Sequence, residues 1–202
     1  DGGDMVSYSV AALGTNNATL SASVSAGCLS AGDEVLLINL QGTAGANGNV
    51  GNYELLTVLD VAGTVVNFTG AKSKFYGDGS SDDTNLGTAA TNQRVILQRV
   101  PKYGALALDA TVTASAWDGT RGGVFAIRTT GAISGAGAID MSGKGYRGGV
   151  TNNVVNRTGF QGETYSGLGA LAQAANAGGG GGGRGDNTGC RTYGVSAGGA
   201  GY

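Results

Sequence analysis

Between two turn-like stretches the chain reads Glu34-Val-Leu-Leu-Ile-Asn-Leu-Gln41, a run whose middle is apolar on both faces. Such a run predicts a strand that is buried on both sides. Three further stretches combine β-branched and aromatic residues in the same way: Tyr53-Glu-Leu-Leu-Thr-Val-Leu59, Thr64-Val-Val-Asn-Phe-Thr69 and Arg94-Val-Ile-Leu-Gln-Arg-Val100. The turn at Ala62-Gly63 predicts a hairpin between the first two. We therefore predict an all-β fold in which residues 1–100 form a β-barrel or a sandwich-like domain.

The second half of the chain has a different composition. Residues 1–100 contain 14 glycines and residues 101–202 contain 27. From Lys102 onward, apolar stretches of three to six residues alternate with glycine turns such as Trp117-Asp-Gly119. Short strands at close spacing are typical of the rungs of a β-solenoid. We predict a short β-solenoid-like region over residues 101–150, with a second small sandwich as the alternative.

Residues 151–202 form a glycine-rich segment that includes the unbroken run Gly178–Gly183. One interpretation is a flexible linker. The other is an ordered polyglycine-II-like helix, which has the dimensions of polyproline II and no internal hydrogen bonds. The amides of such a helix need partners in neighbouring chains, so this interpretation predicts a packing segment.

The composition excludes several classes of function. Histidine is absent, which removes Ser-His-Asp triads and ordinary zinc sites. Charged residues make up 13% of the chain and the net charge is −2, so we expect no nucleic-acid partner. No apolar run is long enough to span a bilayer, so we expect no membrane insertion. We predict that the protein is not an enzyme and needs no cofactor other than a candidate calcium ion.

Carboxylate chemistry remains open as an alternative, because glycosidases and some solenoid-shaped lyases work without histidine. The candidate residues for a polysaccharide-active enzyme are Asp118, Arg121, Asp140, Lys144 and Arg147. The competing interpretation is that Asp118 makes a turn and that the basic residues are solvated charges.

Two further candidate sites are structural. The loop Asp78-Gly-Ser-Ser-Asp-Asp83 has the density of oxygen ligands that calcium prefers, with Asp78, Asp82 and Asp83 as the ligands, although a solvated loop needs no metal. Cys28 and Cys190 are the two cysteines of the chain, and an even count suits one disulfide in a secreted protein. The alternative is two unpaired thiols.

Two aromatic residues lie beside glycines in the short-strand region. Trp117 and Tyr146 would stack on sugar rings if their faces were exposed, which makes them candidate glycan-binding residues. The alternative is that Trp117 packs over the end of the solenoid-like core.

The order of motifs along residues 20–200 resembles a known family. The motifs are Gly32-Asp-Glu-Val-Leu-Leu-Ile-Asn-Leu-Gln-Gly42, Gly51-Asn-Tyr-Glu-Leu-Leu-Thr-Val58, Arg99-Val-Pro-Lys-Tyr103, Ala116-Trp-Asp-Gly-Thr-Arg-Gly-Gly-Val124, Gly143-Lys-Gly-Tyr-Arg-Gly-Gly149 and the hexaglycine run. Together they resemble a segment of the glycine-rich bacterial cell-surface proteins of the adventurous gliding motility protein C type. The resemblance implies a cell-surface, non-enzymatic role and carries no catalytic residues.

These observations predict an extracellular or cell-surface structural or adhesive module, a building block of a filamentous assembly. Exposed strand edges and unpaired glycine amides would drive association into a homo-oligomer or homopolymer. The alternative is an adhesin tip that binds a surface glycan or receptor, as in phage tail fibres. The sequence starts at Asp1 without methionine, so we expect either a removed leader or a piece of a larger protein.

Overall fold

The computed structural model describes residues 3–149 and 162–167. Six strands occupy the first half: β1 (Ser7–Leu13), β2 (Asn17–Leu20), β3 (Glu34–Gln41), β4 (Tyr53–Ala62), β5 (Val65–Phe68) and β6 (Arg94–Arg99). Four strands of two residues each follow: β7 (Lys102–Tyr103), β8 (Leu106–Ala107), β9 (Arg128–Thr129) and β10 (Ile133–Ser134). A 3-10 turn at Gly3–Met5 precedes β1, and the described residues contain no α-helix.

The six long strands form a closed antiparallel barrel in the order β1-β2-β5-β4-β3-β6. Closure joins the start of the chain to its middle, since Tyr8 of β1 lies opposite Leu97 of β6. On the other side of β6, the same Leu97 lies opposite Leu37 of β3. Every strand of the barrel therefore has two neighbours, and the barrel has no free edge. The six barrel strands therefore offer no free edge to another chain, and the predicted association into a homo-oligomer stays a prediction.

Alternating side chains fill the barrel interior. Val35 and Leu37 of β3 point inward beside Val95 and Leu97 of β6. The remaining buried members of this core come from all parts of the barrel: Val6, Tyr8, Val10, Ala18, Leu20, Leu29, Leu56, Val58, Val66, Phe68, Tyr76 and Leu86. A fully buried leucine or valine contributes about 1.5–3 kcal/mol relative to an exposed one, so this core is the main stabilising element of the domain.

One end of the barrel is closed by buried amide side chains. The Asn39 side-chain amide donates to the Tyr76 carbonyl and to the Gln93 side-chain oxygen, both at 3.0 Å. The Gln93 side-chain amide donates in turn to the Ala46 carbonyl at 2.8 Å. Asn39 and Gln93 are fully buried, and their bonds satisfy carbonyls of the long loops before β4 and β6. These loops are thereby fixed against the barrel.

After the barrel, the chain passes twice along nearly the same path. β7 pairs with β9 and β8 pairs with β10, both in parallel, and an isolated parallel bridge joins Val112 to Ile139. The partners are 26 or 27 residues apart in the sequence. Gly135 has a φ of +107°, and a Cβ there would lie 2.2 Å from the Leu108 carbonyl oxygen, so the two passes approach closely only because this residue is glycine.

Residues 119–128 cross the outer face of β6 and its neighbours. The Arg94 side chain donates to the Gly119 carbonyl at 2.9 Å, and the Gln98 side chain donates to the Val124 carbonyl at 3.3 Å. At the far end, the Arg128 guanidinium makes two hydrogen bonds of 2.6 Å to the Glu34 carboxylate of β3. We call residues 115–128 the crossing segment; this range adds the four residues that lead into residues 119–128.

The all-β prediction is confirmed, and the barrel is the form that the first half takes. Two parallel passes are fewer than the three repeats that a solenoid needs to build a stable core, so the predicted solenoid is not confirmed. The glycine-rich prediction falls on residues outside those described and stays a prediction. Within the described part of the chain, no helix has the length and hydropathy needed to cross a bilayer.

Candidate functional site

The outer face of β4 carries large apolar side chains that nothing in the described structure covers. Tyr53 is 54% exposed, Leu55 45% and Leu59 53%. We call these three residues the β4 ridge. On the adjacent strand β3, Ile38 lies opposite Tyr53 and Leu36 lies opposite Leu55. Leu36 is buried, so the ridge is the uncovered continuation of an apolar outer face that the chain itself partly covers.

The two ends of the β4 ridge carry opposite charges. The Lys74 ammonium lies 4.9 Å from the centre of the Tyr53 ring, a cation–π distance. At the other end, a β-bulge leaves Asp60 exposed next to Leu59, and the Asp60 carboxylate accepts a hydrogen bond of 2.7 Å from the Asn67 side chain. Lys74 therefore places a positive charge at one end of the ridge, and Asp60 places a negative charge at the other.

Glu54 fixes the positive end. Its carboxylate accepts hydrogen bonds from the amide of Lys74 at 2.9 Å, from the amide and hydroxyl of Ser73 at 2.7 Å and from the Tyr76 hydroxyl at 2.9 Å. Burial alone would raise the pKa of Glu54, but these hydrogen bonds outweigh it and hold the pKa below its ordinary value. The loop that carries Lys74 is thus anchored to β4 by an ionised carboxylate.

The second candidate site is a cleft of about 410 Å³ between the barrel and the crossing segment. We call it the seam cleft. Its lining residues come from three places: Val6, Ser7 and Tyr8 at the start of β1, Ala22, Ser23 and Ser25 in the loop after β2, and Ser115, Ala116, Asp118, Arg121 and Gly122 in the crossing segment. The lining is rich in hydroxyl groups and holds one pair of opposite charges.

The charged pair of the seam cleft is held by local bonds. The Asp118 carboxylate accepts from the Thr120 amide at 2.7 Å and from the Arg121 amide at 2.9 Å. Burial would raise the pKa of Asp118, but these bonds and the Arg121 charge lower it overall. The Arg121 guanidinium lies 3.7 Å from Asp118 and donates to the Ser7 carbonyl at 3.2 Å. The lowered pKa keeps the Asp118 carboxylate ionised at neutral pH beside the Arg121 guanidinium.

The buried carboxylate of Glu163 joins two residues of the region that follows the barrel, Trp117 and Arg147. Glu163 is 2% exposed and accepts hydrogen bonds of 2.9 Å from the Trp117 indole and from the Arg147 amide. It also forms an ion pair with the Arg147 guanidinium, and this bond raises the pKa of that guanidinium. Beside it, Trp117 and Tyr146 pack edge to face with ring centres 5.7 Å apart.

The predicted glycan-stacking residues belong to this packed cluster. Trp117 is 5% exposed, so its ring faces are not available to a sugar. The Tyr146 hydroxyl donates to the Leu40 carbonyl, and burial, followed by the Glu163 charge, raises the Tyr146 pKa to about 12. The geometry favours the alternative in which Trp117 is a packing residue.

The predicted calcium ligands have protein partners of their own. Asp82 accepts from the Thr84 amide at 3.1 Å, and Asp78 accepts from the Thr84 hydroxyl at 3.0 Å. Asp83 accepts from the Tyr76 amide and pairs with Lys72. Among the residues described, no three acidic or sulfur side chains converge as metal ligands. These aspartates close the loop by hydrogen bonds, and the geometry gives the calcium prediction no support.

The remaining candidates are dispersed. Asp140 accepts a hydrogen bond from the Ser142 amide at 2.8 Å and makes a local turn, as Asp118 does. Lys144 contributes its backbone carbonyl to the Trp117 amide. Cys28 is half-buried against the barrel core, whereas Cys190 lies outside the described residues, so the predicted disulfide stays a prediction.

We compared the chain with protein-family models, curated proteins and solved structures. No family model matches the sequence, and no curated protein matches it. Among solved structures the chain is similar to the tailspike protein gp49 from Pseudomonas phage LKA1, with 14% identity over 67% of this chain and a TM-score of 0.30. The match covers 26% of the tailspike, so the chain spans about a quarter of that protein's length. A TM-score of 0.30 does not show a shared fold. The resemblance to gliding-motility surface proteins also stays a prediction.

Sequence reasoning missed both the β4 ridge and the seam cleft. The sequence carried a signal for the ridge, because Tyr53, Leu55 and Leu59 lie even numbers of positions apart and so share the outer face of the strand. In a barrel strand that faces water, such positions are usually polar. The sequence carried no signal for the cleft, since Ser115 lies 90 residues after Ser25, the nearest of the other lining serines in the sequence. Glu163 was missed because it lies within the glycine-rich segment, where no regular pattern of apolar and polar residues surrounds it.

Proposed function

We propose that this chain is a non-catalytic, extracellular structural module that associates with a second copy of itself through the β4 ridge. The supporting observation is the exposure of three large apolar side chains, Tyr53, Leu55 and Leu59, on one strand of the barrel. Large apolar side chains grouped on a surface mark an interaction site more often than single ones do. A homotypic contact of this kind is what a building block of a surface assembly requires.

The charge pattern favours a second copy over a different partner. When two β4 strands pack face to face about a two-fold axis, Tyr53 of one copy meets Leu59 of the other. The same operation brings Lys74 of each copy towards Asp60 of the other, so opposite charges meet at both ends. The ridge is therefore complementary to itself in this orientation.

The burial of apolar side chains gives the size of the free energy of association. Covering a half-exposed leucine contributes about 1 kcal/mol, so two leucines in two copies contribute about 4 kcal/mol. Replacing Leu55 by aspartate in both copies removes about 2 kcal/mol of this free energy from the dimer. The dissociation constant should then rise about thirtyfold.

Sedimentation equilibrium of the purified chain over a wide concentration range tests the proposal. We expect reversible self-association that Leu55→Asp weakens about thirtyfold. Ile133→Asp is the matched control, because Ile133 is 50% exposed but lies in β10, which is not a strand of the barrel. Association that Ile133→Asp weakens as much as Leu55→Asp does, or a chain that is monomeric throughout, would refute the proposed interface.

Charge exchange tests the orientation. Asp60→Lys or Lys74→Glu alone should weaken association, because each brings like charges together at both ends of the interface. The double variant restores opposite charges and should recover most of the affinity. If the double variant associates no better than the single ones, the two-fold arrangement is incorrect.

A further inference from the structure

The geometry points to the seam cleft as a binding site for a neutral, hydroxyl-rich ligand, namely one sugar unit of a glycan. This inference concerns a surface away from the β4 ridge and does not depend on self-association. The cleft measures about 410 Å³, a volume within the range of small-molecule sites. It also lies where the crossing segment packs against the barrel, and clefts between packed parts of a chain are common ligand sites.

Four serine hydroxyls of the cleft have no hydrogen-bond partner among the described residues. Ser7, Ser23, Ser25 and Ser115 line it, and their hydroxyls make no hydrogen bond with any described residue. A serine hydroxyl both donates and accepts, as a sugar hydroxyl does. Four such groups around one cleft therefore match a ligand that presents several hydroxyls in different directions.

The charged pair points to a neutral ligand. The positive charge of Arg121 is balanced by Asp118 at 3.7 Å, so the cleft has no net charge to attract a carboxylate or phosphate. Side by side, the two groups present strong donors and strong acceptors to adjacent hydroxyls of one ring. A metal ion is not favoured either, since among the described residues that line the cleft only Asp118 carries a carboxylate.

The cleft is built before any ligand arrives. Gly122 has a φ of +91°, and a Cβ there would lie 2.3 Å from the Ala116 carbonyl oxygen, so the backbone is folded tightly on one wall. The bond from Arg121 to the Ser7 carbonyl ties this wall to β1. Tyr8 forms part of the opposite wall and lies in the barrel core. Rigid walls lower the entropy lost on binding.

Amide chemical shifts of the full chain, followed during titration with glucose, galactose and N-acetylglucosamine, test this inference. Glucuronate serves as the anionic comparison. We expect saturable shifts at Ser25 and Gly122 with at least one neutral sugar, in the millimolar range for a single ring. Arg121→Ala should weaken this binding at least tenfold, because it removes the charged donor.

Two further variants separate a lost contact from a disturbed fold. Ser23→Tyr fills the cleft from its exposed rim and should abolish the shifts without touching the bond between Arg121 and Ser7. Arg128→Ala is the control, since Arg128 is paired with Glu34 outside the cleft and should leave binding unchanged. The inference is overturned if no neutral sugar produces saturable shifts, if only glucuronate does, or if Arg121→Ala and Ser23→Tyr bind as the parent chain does.

Discussion

Removing the carboxylate of Glu163 should lower the free energy of unfolding of the region that follows the barrel by about 3 kcal/mol. In Glu163→Ala the Trp117 indole N–H stays buried without an acceptor, which costs about 1–3 kcal/mol. The Arg147 amide loses its partner as well, but water can reach this exposed residue. The ion pair adds less than about 1 kcal/mol, because the Arg147 side chain is 57% exposed. The indole term therefore dominates.

Trp117 is the only tryptophan in the chain, so its fluorescence during urea unfolding reports on this cluster directly. Glu163→Gln keeps an oxygen that can accept from the indole, and it should cost only about 1 kcal/mol. Asp109→Ala is the control, since Asp109 is an exposed carboxylate without a described partner. A loss below about 0.5 kcal/mol in Glu163→Ala, or equal losses in the alanine and glutamine variants, would refute the argument.

Two further predictions concern the contacts between the barrel and the crossing segment. Arg94→Met should lower the free energy of unfolding by about 2–4 kcal/mol in thermal melts, because the Gly119 carbonyl and two loop carbonyls lose a buried charged donor. The hydrogen bond from Arg128 lowers the pKa of Glu34 below its ordinary 4.5, so its contribution is complete above that pH and is lost as pH falls through the lowered value. The stability gap between the parent chain and Glu34→Gln should therefore shrink in urea titrations from pH 6 to pH 3.

Local sequence predicted the barrel strands that carry large apolar residues. The predicted Glu34–Gln41 strand has the same bounds as β3, and the predicted hairpin is present as β4 and β5. β1 and β2 escaped prediction because Ser7–Leu13 and Asn17–Leu20 are rich in small and polar residues. Their role depends on pairing with strands far along the chain, which a local pattern does not contain.

The aspartate-rich loop shows why composition alone does not decide whether a loop binds a metal. Three carboxylates within six residues suggested calcium, but short aspartate side chains also accept hydrogen bonds from backbone amides nearby. The Asp82 carboxylate accepts such a bond from the Thr84 amide, and the Asp83 carboxylate accepts one from the Tyr76 amide. A sequence lists the oxygen atoms of such a loop but not the directions in which they point, and direction decides between a metal site and a turn.

The crossing segment explains why polar residues on the outside of β1 and β6 are buried. Between Gly119 and Val124 the chain pairs with no strand, so its carbonyls have no ladder partners and need donors from elsewhere. Ser9 donates to the Thr120 carbonyl, while Arg94 and Gln98 donate to those of Gly119 and Val124. These side chains replace the backbone ladder of a missing strand. Because the donors belong to the barrel, the crossing segment can hold this path only while the barrel is folded, and the walls of the seam cleft form only then.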